Sequence, residues 1–92
     1  VSDAFLTKLA AETLLERALL RESYAQYGQA IQELDHAISL NPTNEELLYT
    51  RARVFISLGD NALARQDLNA ILRSNPNHRL AREMLARAQT QQ

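Results

Sequence analysis

Apolar side chains recur along this chain at the three- and four-residue spacing of a helix face, not at the alternation of a strand. Leu48, Ala52, Phe55 and Ile56 form one such run, and Ala64, Leu68, Ile71 and Leu72 form another. Between them lies Leu58-Gly59-Asp60-Asn61. Glycine takes the left-handed conformation that ends a helix, and Asp60 or Asn61 caps the next. These signals predict helices near 45–58 and 61–74, joined as an antiparallel hairpin. Upstream, a long helix is predicted from about Asp3 to Tyr24, capped by Ser2 or Asp3. A turn at Ala25-Gln26-Tyr27-Gly28 and a second helix over about 27–40 follow. Asn41-Pro42 and Asn75-Pro76 stop helices, because proline lacks an N–H and disfavours helical geometry in the residue before it. Asn77 is then expected to cap a fifth helix, roughly 78–90, with Leu80, Met84 and Leu85 on one side.

The two Asn-Pro stops are 34 residues apart, and the same shift brings ten identical residues into register across 11–42 and 45–76. Among them are Leu14 with Leu48, Arg17-Ala18 with Arg51-Ala52, Ala30 with Ala64, and Leu34 with Leu68. Composition alone does not produce that density, so the chain carries a degenerate internal repeat.

In the second repeat Leu48, Arg51-Ala52, Phe55, Ala64, Leu68 and Pro76 stand at set spacings; in the first, Leu14, Arg17-Ala18, Arg21, Ala30, Leu34, Ala37 and Pro42 do. That pattern resembles the tetratricopeptide repeat. The resemblance implies an all-α, helical-hairpin solenoid, a single domain over 1–92 with repeat one at about 3–42, repeat two at about 43–76 and a capping helix at about 77–91. Several positions depart from the pattern. No tryptophan is present, Arg17 and Arg51 replace a usual leucine, Arg21 stands where an aromatic is expected, and Ile71 replaces a usual alanine. Ala25 replaces the turn glycine, so the first hairpin is expected to be distorted locally and its first helix lengthened. Repeats of this kind gain stability by stacking three or more units, so two and a half are expected to lean on something else.

The resemblance also implies a non-catalytic module that binds a peptide or partner helix on the concave face, within a larger scaffold or assembly factor. Position by position, that face takes Glu12, Leu15, Glu16, Leu19, Glu22 and Ser23 from the first repeat. The second supplies Glu46, Tyr49, Thr50, Arg53, Ile56 and Ser57, and the last helix Leu80, Glu83, Met84 and Arg87. It is acidic at one end and basic at the other; a solvated face without a ligand is the plainer alternative. Leu15 and Leu19, Glu46, Tyr49, Arg53, Ile56, Met84 and Arg87 are the candidate ligand-binding residues. One subclass of the family grips the C-terminal carboxylate of heat-shock chaperones with lysine and asparagine in the first repeat. Leu15 and Leu19 hold those positions here, so that clamp is absent.

The first helix carries Phe5, Leu6, Leu9, Leu14, Leu15, Leu19 and Leu20, too wide an apolar arc for one neighbour. Phe5, Leu6 and Leu9 are therefore candidates for self-association, as a homodimer, or for packing onto an upstream segment. A homo-oligomerisation element is the alternative function. Arg17 and Arg51 share one repeat position, and Glu33 and Asp67 share another, so each hairpin is expected to hold an Arg–carboxylate bridge. The alternative is that each arginine reaches water independently.

Ninety-two residues, 46% hydrophobic and 23% charged, suit one small helical domain. A formal net charge of −1 supplies no whole-molecule attraction for nucleic acid or acidic membranes. Without cysteine there are no disulfides or thiolate metal sites, which fits cytoplasm or periplasm equally. No apolar run approaches the ~20 residues that span a membrane, and the N-terminus lacks a basic-then-apolar signal pattern. A chain opening on Val1 is expected to be a fragment or processed form. There is no glycine-rich phosphate loop and no HExxH pair. His36 and His78 read as surface residues, and Glu45-Glu46, after Asn44, as acids placed at a helix N-terminus rather than a catalytic pair. No catalytic, metal or cofactor site is expected, and no enzyme.

Overall fold

Helix-forming runs punctuated by strong stops give five helices in the computed structural model, which describes residues 2–90. They are α1 (Asp3–Ser23), α2 (Tyr27–Leu40), α3 (Glu45–Ser57), α4 (Asn61–Ser74) and α5 (Arg79–Thr90). No strand occurs among the described residues. The expected end of the last helix at residue 91 lies outside them. The helices gather into two compact units that divide between Leu47 and Leu48.

In the first unit α1 packs on α2. Ala11, Leu15 and Ala18 of α1, and Ala30, Leu34 and Ala37 of α2, are buried. Alanines on both helices let the backbones approach, and Leu34 fills the space that remains. Ser2 caps α1, its hydroxyl accepting from the Phe5 N–H at 3.1 Å. Asn44 does the same for α3 through the Leu47 N–H at 3.2 Å, with Glu45 and Glu46 in the first turn, where the helix dipole favours acids. By the repeat register α1 begins eight residues earlier than α3, so it is lengthened at its N-terminus.

The expected distortion of the first hairpin is absent. Ala25 adopts φ +59° and Gly59, its counterpart in the repeat, φ +83°. Both helices end with the same pair of bonds. Ala25 N–H donates to Glu22 O (2.9 Å) and Gln26 N–H to Arg21 O (2.8 Å); Gly59 N–H donates to Ile56 O and Asp60 N–H to Phe55 O, both at 2.9 Å. The paired bonds hold alanine in the left-handed region, so the turn keeps its shape and stores backbone strain instead.

In the second unit Ala52, Ala64, Leu68, Ile71, Ala81 and Met84 form the core, with Leu48, Phe55, Leu72 and Leu85 packed against it. Asp60 caps α4 by accepting from the Leu63 N–H at 3.1 Å. Asn77 does not cap α5. His78 does, its Nδ1 accepting from the Ala81 N–H at 3.1 Å, because it is the residue placed immediately before Arg79.

Both hairpins are bridged by an arginine and a carboxylate. Arg51 meets Asp67 through two parallel bonds, Nε to Oδ2 at 2.9 Å and Nη2 to Oδ1 at 2.7 Å. The Asp67 side chain is 7% exposed and that of Arg51 22%. Fork-to-fork pairing of this kind satisfies both carboxylate oxygens in a partly desolvated place. The first unit does it differently. Arg17 Nη2 and Arg21 Nε both approach Oε1 of Glu33, at 3.1 and 3.5 Å. Arg17 is 59% exposed, Glu33 only 11%, and Glu33 Oε2 is buried without a hydrogen-bond partner.

Candidate functional site

Tyr49, Arg53, Ile56 and Ser57 recur at three- and four-residue spacing on α3, and Met84 and Arg87 are one turn-step apart on α5. Within the second unit they line a concavity of about 340 Å³. Met84, almost wholly buried, lies in the core beneath it; Tyr49 and Ile56 are half-buried; Ser57 and Arg87 are exposed. Tyr49 is held in place by the His78 ring, stacked with centroids 6.1 Å apart and planes 28° from parallel. His78 thus fixes the start of α5 and buttresses one wall of the concavity. A surface histidine was the reading of the sequence; a helix cap facing an aromatic ring is the finding. The lining residues include two guanidinium groups and no carboxylate. Such a surface offers apolar area at its base and cationic donors at its edge.

The other sequence candidates are placed differently. Leu15 is 8% exposed and Thr50 is buried, so both belong to the core and offer little to a ligand. Leu19 and Glu46, both in the first unit, are exposed. Phe5, Leu6 and Leu9, with Leu20 and Tyr24, are exposed on α1. Leu6 and Leu9 line a second, mostly apolar groove of about 600 Å³ with Ala10, Thr13, Leu14 and Arg17, closed on its other side by His36 and Leu40 of α2. Next to it a notch of about 320 Å³ is lined by Arg17, Leu20, Arg21, Tyr24 and Gln26. His36 and Leu40 were not legible as walls of this groove, because only the packing of α1 on α2 brings them there.

Among the described residues no helix is long and apolar enough to cross a membrane. None of the described His, Asp or Glu side chains gathers into a group of three that could hold a metal ion.

Comparison with known proteins agrees with this geometry. The family model described as "Tetratricopeptide repeat" matches residues 23–88. A tetratricopeptide repeat and J domain-containing co-chaperone of Fusarium oxysporum f. sp. lycopersici is 34% identical over 79 residues, 86% of this chain. The chain spans only 15% of that relative's length. Repeats of this kind are generally non-catalytic and serve protein–protein interaction. From its all-helical hairpins and the family match over residues 23–88, the chain belongs to the tetratricopeptide repeat family and is a protein-interaction module.

Proposed function

We propose that the α3–α5 concavity binds a short protein segment carrying a carboxylate beside an apolar side chain. The observation that carries this reading is the lining itself: Tyr49, Ile56 and Met84 supply apolar contact, while Arg53 and Arg87 stand over it with no acidic residue among them. An apolar anchor gives affinity and the two guanidinium groups give orientation. The segment is an extended peptide or one face of a partner helix, and the parent is a scaffold or assembly factor. The relative is a co-chaperone by name, a setting in which a module of this kind serves as an adaptor.

Selection of binders from a random peptide display library, followed by fluorescence anisotropy, tests the proposal. Selected peptides should share an acidic residue next to a large apolar one. Arg53→Glu and Arg87→Glu should each weaken them about tenfold while leaving the circular dichroism melt in place. Peptides without acidic enrichment, or affinities unchanged in both variants, would overturn it.

A further inference from the structure

We propose that this chain associates with a second copy of itself, the acidic first unit of one copy docking against the basic second unit of the other. The two units carry opposite charge. The first holds eight acidic and three basic side chains, net −5, and the second three acidic and seven basic, net +4. Much of that charge faces water with the whole chain present. Among the described residues the first unit exposes five acids against two bases, net −3. The second exposes four arginines against one glutamate, net +3. Contacts within the chain therefore leave two surface charges of equal size and opposite sign.

Particular residues concentrate this charge. Glu12 and Glu16, both exposed, are four residues apart on α1 and leave one face of that helix together. In the second unit Arg73 lies in the last turn of α4, and Arg79 and Arg82 lie near the start of α5, across the short connection 75–78. All three arginines are exposed. Arg79 approaches Glu83 at 3.7 Å, yet its side chain remains 83% exposed. By the repeat register Arg79 stands where α3 has Glu45, and the first turn of α5 holds no acid. Cations at a helix N-terminus oppose the helix dipole, and a carboxylate arriving from outside offsets that cost.

The match of charges selects the occupant. A polyanion is drawn to the second unit and repelled by the first, and a basic partner the reverse. A partner that satisfies both surfaces carries both signs in like amount, as a second copy does. The net charge of −1 leaves little whole-molecule repulsion to keep copies apart.

Sedimentation equilibrium at about 0.5 mM protein tests this. The mass should exceed that of a monomer at ~20 mM salt and return to it at ~0.5 M, where screening is strong. Glu12→Arg/Glu16→Arg and Arg73→Glu/Arg82→Glu, all at exposed positions, should each weaken association about tenfold with an unchanged melting curve. Mixing the two variants should restore it. Lys8→Glu makes the first unit more acidic and should strengthen association, although it moves the net charge farther from zero. That separates complementarity from whole-molecule repulsion. Neither Arg73 nor Arg82 lines the α3–α5 concavity, so a peptide selected against that site should bind the Arg73→Glu/Arg82→Glu variant as it binds the parent. Any of four results would overturn the proposal: a monomer at every salt concentration, an assembly that persists at ~0.5 M salt, an assembly that both reversal pairs leave unchanged, or a monomeric chain that instead binds a single-stranded oligonucleotide through Arg73 and Arg82.

Discussion

Ala25 sits at φ +59°, a conformation that L-residues avoid because the side chain crowds the following carbonyl. Replacing it with glycine removes about 1–2 kcal/mol of that strain. The greater freedom of glycine in the unfolded chain returns about 0.4–1 kcal/mol of it. Ala25→Gly should therefore stabilise the protein by roughly 0.5–1 kcal/mol, which for a domain of this size raises Tm by about 2–8 °C. The side chain is exposed, so no packing term competes. Gly59→Ala is the reciprocal experiment. A methyl group there meets no heavy atom within 4 Å, so only the backbone cost at φ +83° remains, about 1 kcal/mol in the destabilising direction. Urea denaturation followed by circular dichroism measures both, and the midpoints should move in opposite directions at constant slope. An Ala25→Gly variant less stable than the parent would refute the strained-turn account and show that the first hairpin does not close as Gly59 closes the second.

Leu68, fully buried, should cost about 2–4 kcal/mol on replacement by alanine, whereas half-buried Leu48 should cost about 1–2, both read from thermal melts. Asp67→Asn should cost about 1–3 kcal/mol, because it breaks a bidentate pair and leaves Arg51 with a neutral partner. Glu33→Gln should cost less than about 1 kcal/mol, since one Glu33 oxygen has no partner to lose and Arg17 is largely solvated; denaturation of the two variants side by side would contradict this if Glu33→Gln were the more damaging.

Helix ends were legible because they rest on local chemistry: Asn-Pro at 41–42 and 75–76, Gly59 in the turn, and the Asp60 cap each act within a few residues. The Arg–carboxylate bridges were legible because both partners recur at one repeat spacing. Ala25 was not, since an alanine forced left-handed by its neighbours' hydrogen bonds carries no residue preference to read. The repeat register gathered Tyr49, Arg53, Ile56, Met84 and Arg87 on one surface, which the second unit places around one concavity. The same register assigned Leu15 and Thr50 to that surface, yet both are buried. Spacing fixes the direction in which a side chain leaves its helix, while coverage depends on what packs there. His78 shows the same limit, because its cap and its stacking on Tyr49 require α3 and the start of α5 to be neighbours.

The most direct test of the central claim is an amide chemical-shift titration of the ¹⁵N-labelled chain with a display-selected acidic peptide. Saturable shifts should concentrate at Tyr49, Arg53, Ile56, Ser57 and Arg87, with the Met84 methyl following in a ¹³C spectrum, and leave α4 unmoved. Shifts confined to α1, or scattered without saturation, would contradict the assignment of the α3–α5 concavity as the protein-binding site.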